Sequence, residues 1–238
     1  MRFLSQTSSG GVTEQPFLLG EIPGVLWTPE AADPLALVLI GHGGGQHKQA
    51  PGVTGRALRL VAEHGFAAVA IDAPAHGGRP KSPEHDRLIT EMRSRMTGGG
   101  DPAPVLAELH TLLAAQSVPE WRSVLDALAG LGPAGYWGLS LGCALGLPLL
   151  AAEPRVRSAV VGLSGTAMVP PGAAAGVTVP LRFLMQWDDE RVPREDALTL
   201  FDALASAEKT LHANPGKHED VPPFETDGAL RFFARHLA

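Results

Sequence analysis

A single cysteine, Cys143, stands among the 238 residues, so no disulfide can close within the chain. Lysine is scarce, four against fifteen arginines, and neither gathers into a run. With a net charge of −6 spread along the chain, there is no basic face for nucleic acid. No apolar stretch approaches the roughly 20 residues that cross a bilayer. The opening Met1-Arg2-Phe3-Leu4-Ser5-Gln6 also lacks the apolar core and small-residue cleavage site of a secretory leader. These absences make a cytoplasmic protein the expectation. No His-Glu-x-x-His spacing occurs either, so no metal site is expected.

Hydrophobic residues make up 45% of the chain and charged residues 18%, which is ordinary for a globular protein. The length fits one domain, residues 1–238, with room for a large core. Strand-like runs open the chain at Gln15–Leu19 and Gly24–Thr28, joined by turn residues. Leu35-Ala36-Leu37-Val38-Leu39-Ile40 is continuously apolar, as expected of a strand buried on both faces. The loop Gly41–Gly52 follows it. A helical segment comes next at Thr54–His64, its Leu58, Val61 and Ala62 predicted to share one side, and then a buried strand at Phe66–Ile71.

Such alternation predicts an α/β fold with a mostly parallel sheet and helices on both faces. Arg79–Pro119 breaks the rhythm with polar helical pieces and the interruption Gly98-Gly99-Gly100-Asp101-Pro102, so residues 79–119 read as a lid-like insertion. A helix at Glu120–Leu131 leads out of it. Later strands are expected at Val156–Leu163, Val179–Gln186 and Lys209–Ala213. The helices predicted here are Arg194–Ala207, buried through Leu198, Phe201 and Leu204, and Phe224–Leu237. Ser164–Thr178 reads as a loop over the site.

Gly138-Leu139-Ser140-Leu141-Gly142 carries the most chemistry. It follows the strand Ala134-Gly135-Tyr136-Trp137 and precedes the apolar helix Cys143–Leu150, the setting of a nucleophile elbow. The spelling has a geometric cause. A serine lifted above the sheet needs a strained turn with positive φ, and the close approach of strand and helix leaves Gly138 and Gly142 no room for a Cβ. Helix N–H groups beside Ser140 can hold a developing negative charge.

A serine hydroxyl needs a base to take its proton, and that base needs an orienting group. Open α/β sheets bind ligands beyond the carboxyl ends of their strands. Asp188 and Asp189 follow the strand ending at Gln186-Trp187, and His218 follows the one ending at His212-Ala213.

On these residues the chain resembles the α/β-hydrolase superfamily of serine hydrolases, in the style of its dienelactone-hydrolase-like and carboxylesterase-like members. The matching pieces are Gly41-His42-Gly43-Gly44-Gly45, the Ser140 elbow, Asp72…Gly77, Asp189-Glu190-Arg191-Val192-Pro193 and Gly216-Lys217-His218. Dienelactone hydrolases proper carry cysteine where Ser140 stands. The resemblance implies Ser140 as nucleophile, His218 as general base and Asp189, three residues before Val192, as the orienting acid. It also implies an oxyanion hole from the N–H groups of Gly44 and Leu141. The implied activity is cleavage of a small-molecule carboxylic ester through an acyl-enzyme, with no cofactor. A thioesterase or acyltransferase would use the same residues, and a non-catalytic small-molecule binder could share the fold.

The other histidines carry lesser expectations. His42 and His47 should order their loop or contact substrate, and His76 its own turn. His212 lies too early for the triad. His64, His85, His110 and His236 read as surface or helix residues, and Cys143 as packing. Gly41–Lys48 fits neither the G-x-x-x-x-G-K-[ST] nor the G-x-G-x-x-G register, so no nucleotide is expected.

Overall fold

Uninterrupted apolar runs become the centre of a sheet because only there are both faces of a strand covered. In the computed structural model, which describes residues 1–237, every residue of Leu37–Gly41 and Ala67–Ile71 is buried. In chain order the strands are β1 (Arg2–Phe3), β2 (Thr7–Ser9), β3 (Val12–Leu19), β4 (Ile22–Pro29), β5 (Leu37–Gly41), β6 (Ala67–Ile71), β7 (Ala134–Leu139), β8 (Val156–Gly162), β9 (Leu181–Gln186) and β10 (Lys209–Asn214). They form one sheet in the order β1-β3-β4-β6-β5-β7-β8-β9-β10, with β2 on β3. From β6 to β10 all pairings are parallel, while β1 to β4 form an antiparallel flank joined at β4–β6.

The helices are α1 (Pro51–His64), α2 (Pro83–Thr97), α3 (Ala103–Ala127), α4 (Leu141–Ala152), α5 (Arg194–Ala203) and α6 (Pro223–Leu237). Val53, Ala57, Leu60 and Val61 of α1 and Ala229, Leu230 and Phe233 of α6 pack on one face of the sheet, against Val38, Ile40 and Trp137. Trp121, Val124 and Leu125 of α3, Ala144 and Leu147 of α4 and Leu200 of α5 cover the other face. A smaller cluster joins α2 and α3 through Leu88, Leu109 and Leu113 to Leu141 and Leu145. Among the described residues, no helix is long and apolar enough to cross a membrane.

Four details differ from the sequence reading. Leu58 and Ala62 of α1 face solvent, because the 3.6-residue period follows Val53, Ala57, Leu60 and Val61 instead. The predicted break at Pro119 is absent. α3 runs through it, since Ser117, Trp121, Val124 and Leu125 bury that stretch and offset a proline cost of about 3 kcal/mol. α5 ends at Ala203, and its buried residues are Ala197 and Leu200, with Leu204 buried just beyond in extended backbone. The segment Ser164–Thr178 holds two single 3-10 turns, Thr166–Met168 and Ala174–Gly176.

Candidate active site

The strand register brings the chemistry together. Gly41 pairs with Gly138, and Leu139 with Gly162, so the turns leaving β5, β7 and β8 emerge side by side. Ser140 adopts φ 57° and ψ −119°, with its N–H donating to the Gly162 carbonyl at 2.9 Å. Such a backbone costs a non-glycine residue about 1–3 kcal/mol and persists only where its surroundings fix it. Here they do. A Cβ on Gly138 would lie 2.5 Å from the Gly142 oxygen, and one on Gly142 would lie 2.7 Å from the Gly41 oxygen. The chain's one tyrosine, Tyr136, donates its hydroxyl hydrogen to the Gly142 carbonyl at 2.7 Å and fixes the first turn of α4 to β7.

The exits of β9 and β10 are joined the same way. Trp187 N–H donates to the Asn214 carbonyl at 2.7 Å and Asp188 N–H to Gly216 at 3.1 Å. His218 thereby reaches both partners: its Nδ1 is 2.8 Å from Asp189 Oδ2 and its Nε2 is 3.0 Å from Ser140 Oγ. The other carboxylate oxygen of Asp189 accepts the N–H groups of Arg191 (2.8 Å) and Val192 (3.0 Å), which fixes its orientation. The Asp189 and His218 side chains are 3% and 4% exposed. Asp188 points elsewhere, its side chain 65% exposed and only 3.4 Å from the Gly216 N–H.

Gly44 lies against the first residue of α4; a Cβ on it would sit 4.0 Å from Leu141 Cβ. That loop is held by His42, whose Nε2 accepts the Ala73 N–H at 2.9 Å. With that nitrogen accepting, Nδ1 carries the proton and donates to the Gly43 carbonyl at 2.8 Å. Burial pushes His42 down to about 4, so it is neutral near pH 7. Asp72, fully buried, accepts the Lys48 N–H and ammonium, each at 2.8 Å. Burial alone would raise its carboxyl, but these bonds outweigh that and hold it below the usual carboxylate range. Cys143 is buried, and burial pushes its thiol up to about 12, so it is no nucleophile.

Two cavities open onto Ser140. One, of about 570 Å³, runs along α1 and past His218. The other, of about 700 Å³, lies beneath α2 and α3 and is walled by apolar residues such as Ile89, Met92, Leu109 and Met168.

No protein-family model and no curated protein sequence matches the chain. Solved structures do. A PEG-bound complex of a cold-adapted esterase from an Arctic intertidal metagenomic library is 34% identical over 100% of both chains, with a TM-score of 0.82. The chain belongs to the α/β-hydrolase superfamily. Acetyl xylan esterase 1 from Thermoanaerobacterium sp. JW/SL YS485 shares the fold at 16% identity and TM-score 0.68, over 98% of this chain and 87% of its own. A dienelactone hydrolase from Anabaena variabilis does so at 20% identity and TM-score 0.67, over 94% and 99%.

Of the residues singled out from sequence, Ser140, Asp189 and His218 meet directly, and Gly44 and Leu141 adjoin them. His76 Nδ1 lies 2.9 Å from the Pro74 carbonyl within its own turn. His85 and His110, read as surface or helix residues, are helix residues of α2 and α3 and are buried there. His110 Nδ1 bonds the Met168 carbonyl, joining α3 to the loop after β8. The sequence reading missed Arg56, which lines the cavity along α1. Its signal was a cation placed between Val53 and Ala57, at the border of the apolar stripe of α1. Among the described residues, no group of three or more His, Cys, Asp or Glu side chains is gathered for a metal.

Proposed function

We propose that the protein is a serine esterase that cleaves carboxylic esters of small molecules through an acyl-enzyme at Ser140. The observation that carries this reading is His218 bridging Asp189 Oδ2 and Ser140 Oγ at 2.8 and 3.0 Å at a strained elbow. In this mechanism His218 Nε2 takes the Oγ proton as Oγ attacks the ester carbonyl carbon. Asp189 holds the Nδ1 proton and stabilises the imidazolium that forms. The negative charge passes to the carbonyl oxygen, where the N–H groups of Gly44 and Leu141 receive it.

The tetrahedral adduct then collapses. Its carbon–oxygen bond to the alcohol breaks, and His218 returns the proton to the departing oxygen. Water repeats the cycle and releases the acid, restoring Ser140. No cofactor enters the reaction. Residues 79–119 act as a lid-like wall that shapes the larger cavity within a single domain. Esterase relatives support the choice of ester over other acyl compounds.

A fluorophosphonate probe with peptide mapping tests this reading. Labelling at Ser140 that disappears in His218→Ala is the expected result. Absent labelling of folded protein, together with no hydrolysis of short-chain esters, overturns it.

A further inference from the structure

The cavity along α1 has a charge that nothing among the described residues answers. Six ionisable side chains line it: Arg56, Arg59, Arg191, His218, Glu219 and Glu225. Five are paired. Arg59 meets Glu63 at 2.6 Å and Asp227 at 2.8 Å. Arg191 meets Glu219 at 2.8 Å and Glu190 at 3.4 Å. Glu225 is held by Arg182 and by Asn214 Nδ2 at 3.0 Å, and His218 by Asp189 at 2.8 Å. Arg56 alone has no carboxylate in reach among the described residues. Its Nε donates to the Gly52 carbonyl at 2.8 Å, and its Nη1, shut off from solvent, has no acceptor. Burial pulls its guanidinium down to about 10, still cationic near neutrality.

A second donor lies beside it. The Arg56 guanidinium carbon sits 5.2 Å from the centre of the Trp137 ring, and Trp137 Nε1 is also buried without an acceptor. Trp137 lines the same cavity. A guanidinium without a carboxylate partner, stacked on an indole and lining a cavity that opens onto Ser140, calls for an anionic acceptor. A guanidinium and an indole together suit the planar oxygens of a carboxylate.

The side of the ester follows from the proton path. The departing alcohol must emerge next to His218 Nε2, which reprotonates it, and His218 lines this cavity but not the larger one. We propose that the Arg56 cavity is a subsite for a carboxylate carried on the alcohol part of the substrate, with the acyl part beneath α2 and α3. The preferred substrates are then esters of hydroxy acids. The choice of side rests on the esterase reading; the anion site itself does not.

The test compares 3-carboxyphenyl butyrate with its neutral isostere, 3-carbamoylphenyl butyrate. Arg56→Gln should lower the charged-to-neutral ratio of kcat/KM about tenfold or more, and Arg56→Lys should restore part of it. Because each ratio is taken within one protein sample, partial misfolding of a variant cancels. An unchanged ratio in Arg56→Gln overturns the proposal. So does a ratio that responds only when the carboxylate sits on the acyl part, as in 4-nitrophenyl hydrogen glutarate against 4-nitrophenyl butyrate.

Calorimetric binding of 3-hydroxybenzoate provides a readout independent of turnover. Binding weakened by Arg56→Gln supports the anion site even if no ester is hydrolysed, in which case only the esterase reading fails. Binding indifferent to Arg56→Gln overturns the site.

Discussion

Beneath Ser140 the turns leaving β5 and β7 press backbone against backbone, whereas across the larger cavity α2 meets solvent through ion pairs. In the first region Gly41, Gly138 and Gly142 approach so closely that a Cβ on any of them would collide. Tyr136 and His42 bond buried carbonyl and N–H groups there. In the second, Arg87 reaches Glu84, Glu91 and Glu108 with half its side chain in water. The positions that need sub-ångström accuracy are fixed by backbone contacts that tolerate no substitution. The wall of the larger cavity rests on an apolar seam and replaceable surface charges. A variant series across both regions should therefore fall off steeply from one to the other.

The steepest loss belongs to Ser140→Ala. Removing the hydroxyl should reduce ester turnover by roughly 10⁴–10⁶-fold, while near-ultraviolet circular dichroism and the melting midpoint stay close to the parent. Asp189→Asn should follow, at roughly 10³–10⁴-fold in kcat, because an amide cannot stabilise the imidazolium and favours the wrong tautomer. Asp188→Asn, one residue away but exposed, should change kcat less than about threefold. Equal losses at the two aspartates would dissolve the distinction between oriented and merely neighbouring carboxylates.

The elements and the side chains proposed to react were legible for different reasons. The elbow could be read because its residues lie within five positions of one another, although Gly142 is enforced by the distant Gly41 backbone as well as by the turn itself. Asp189 could not be separated from Asp188 by the residues alone. What sets Asp189 apart is that the N–H groups of Arg191 and Val192 donate to it and orient it toward His218, which leaves no sequence signature, and the family resemblance made the choice. The face of α1 was misread because Leu58 is as apolar as Leu60, and only packing on β4, β5 and β6 chooses between them. Pro119 marked a helix end by propensity, yet burial of its neighbours carried α3 through. His85 and His110 read as surface or helix residues, and their burial within the helices depends on contacts with distant segments, such as the Met168 carbonyl for His110. Arg56 drew no notice because an unpaired charge is visible only once every partner has a position.

His42 tests the fixed region through pH. Its folded pKa of about 4 lies below the ordinary 6.5, so the unfolded chain takes up the proton first as pH falls. Its contribution is complete above about pH 6.5 and is lost progressively down to about pH 4, roughly 3 kcal/mol in all. Urea unfolding should thus show a steeper decline over that interval in the parent than in His42→Gln. His110 and His212, also lowered by burial, contribute equally to both proteins and drop out of the difference, whereas His76, its ring 5.3 Å from that of His42, belongs to the group under test. Parallel curves would mean that the Ala73–His42–Gly43 bridge opens before the protein unfolds.

The last pair of variants sharpens the contrast at its weak end, where residues 79–119 join the body. Arg79 bonds both Glu120 oxygens, at 2.5 and 2.6 Å, and the Asp72 carbonyl at 3.1 Å, with its side chain only 8% exposed. Arg79→Ala leaves Glu120 charged and partly buried with only Gln116 as a donor, and should cost about 2–3 kcal/mol in urea unfolding. Arg87 makes more ion pairs, three against one, yet Arg87→Ala should leave both the melting midpoint and ester turnover unchanged within measurement. Water screens each of those pairs, and three carboxylates compete for one exposed guanidinium. If Arg87→Ala instead destabilised the protein as much as Arg79→Ala, α2 would be anchored by its surface network, and the division between a fixed floor and a replaceable wall would fail.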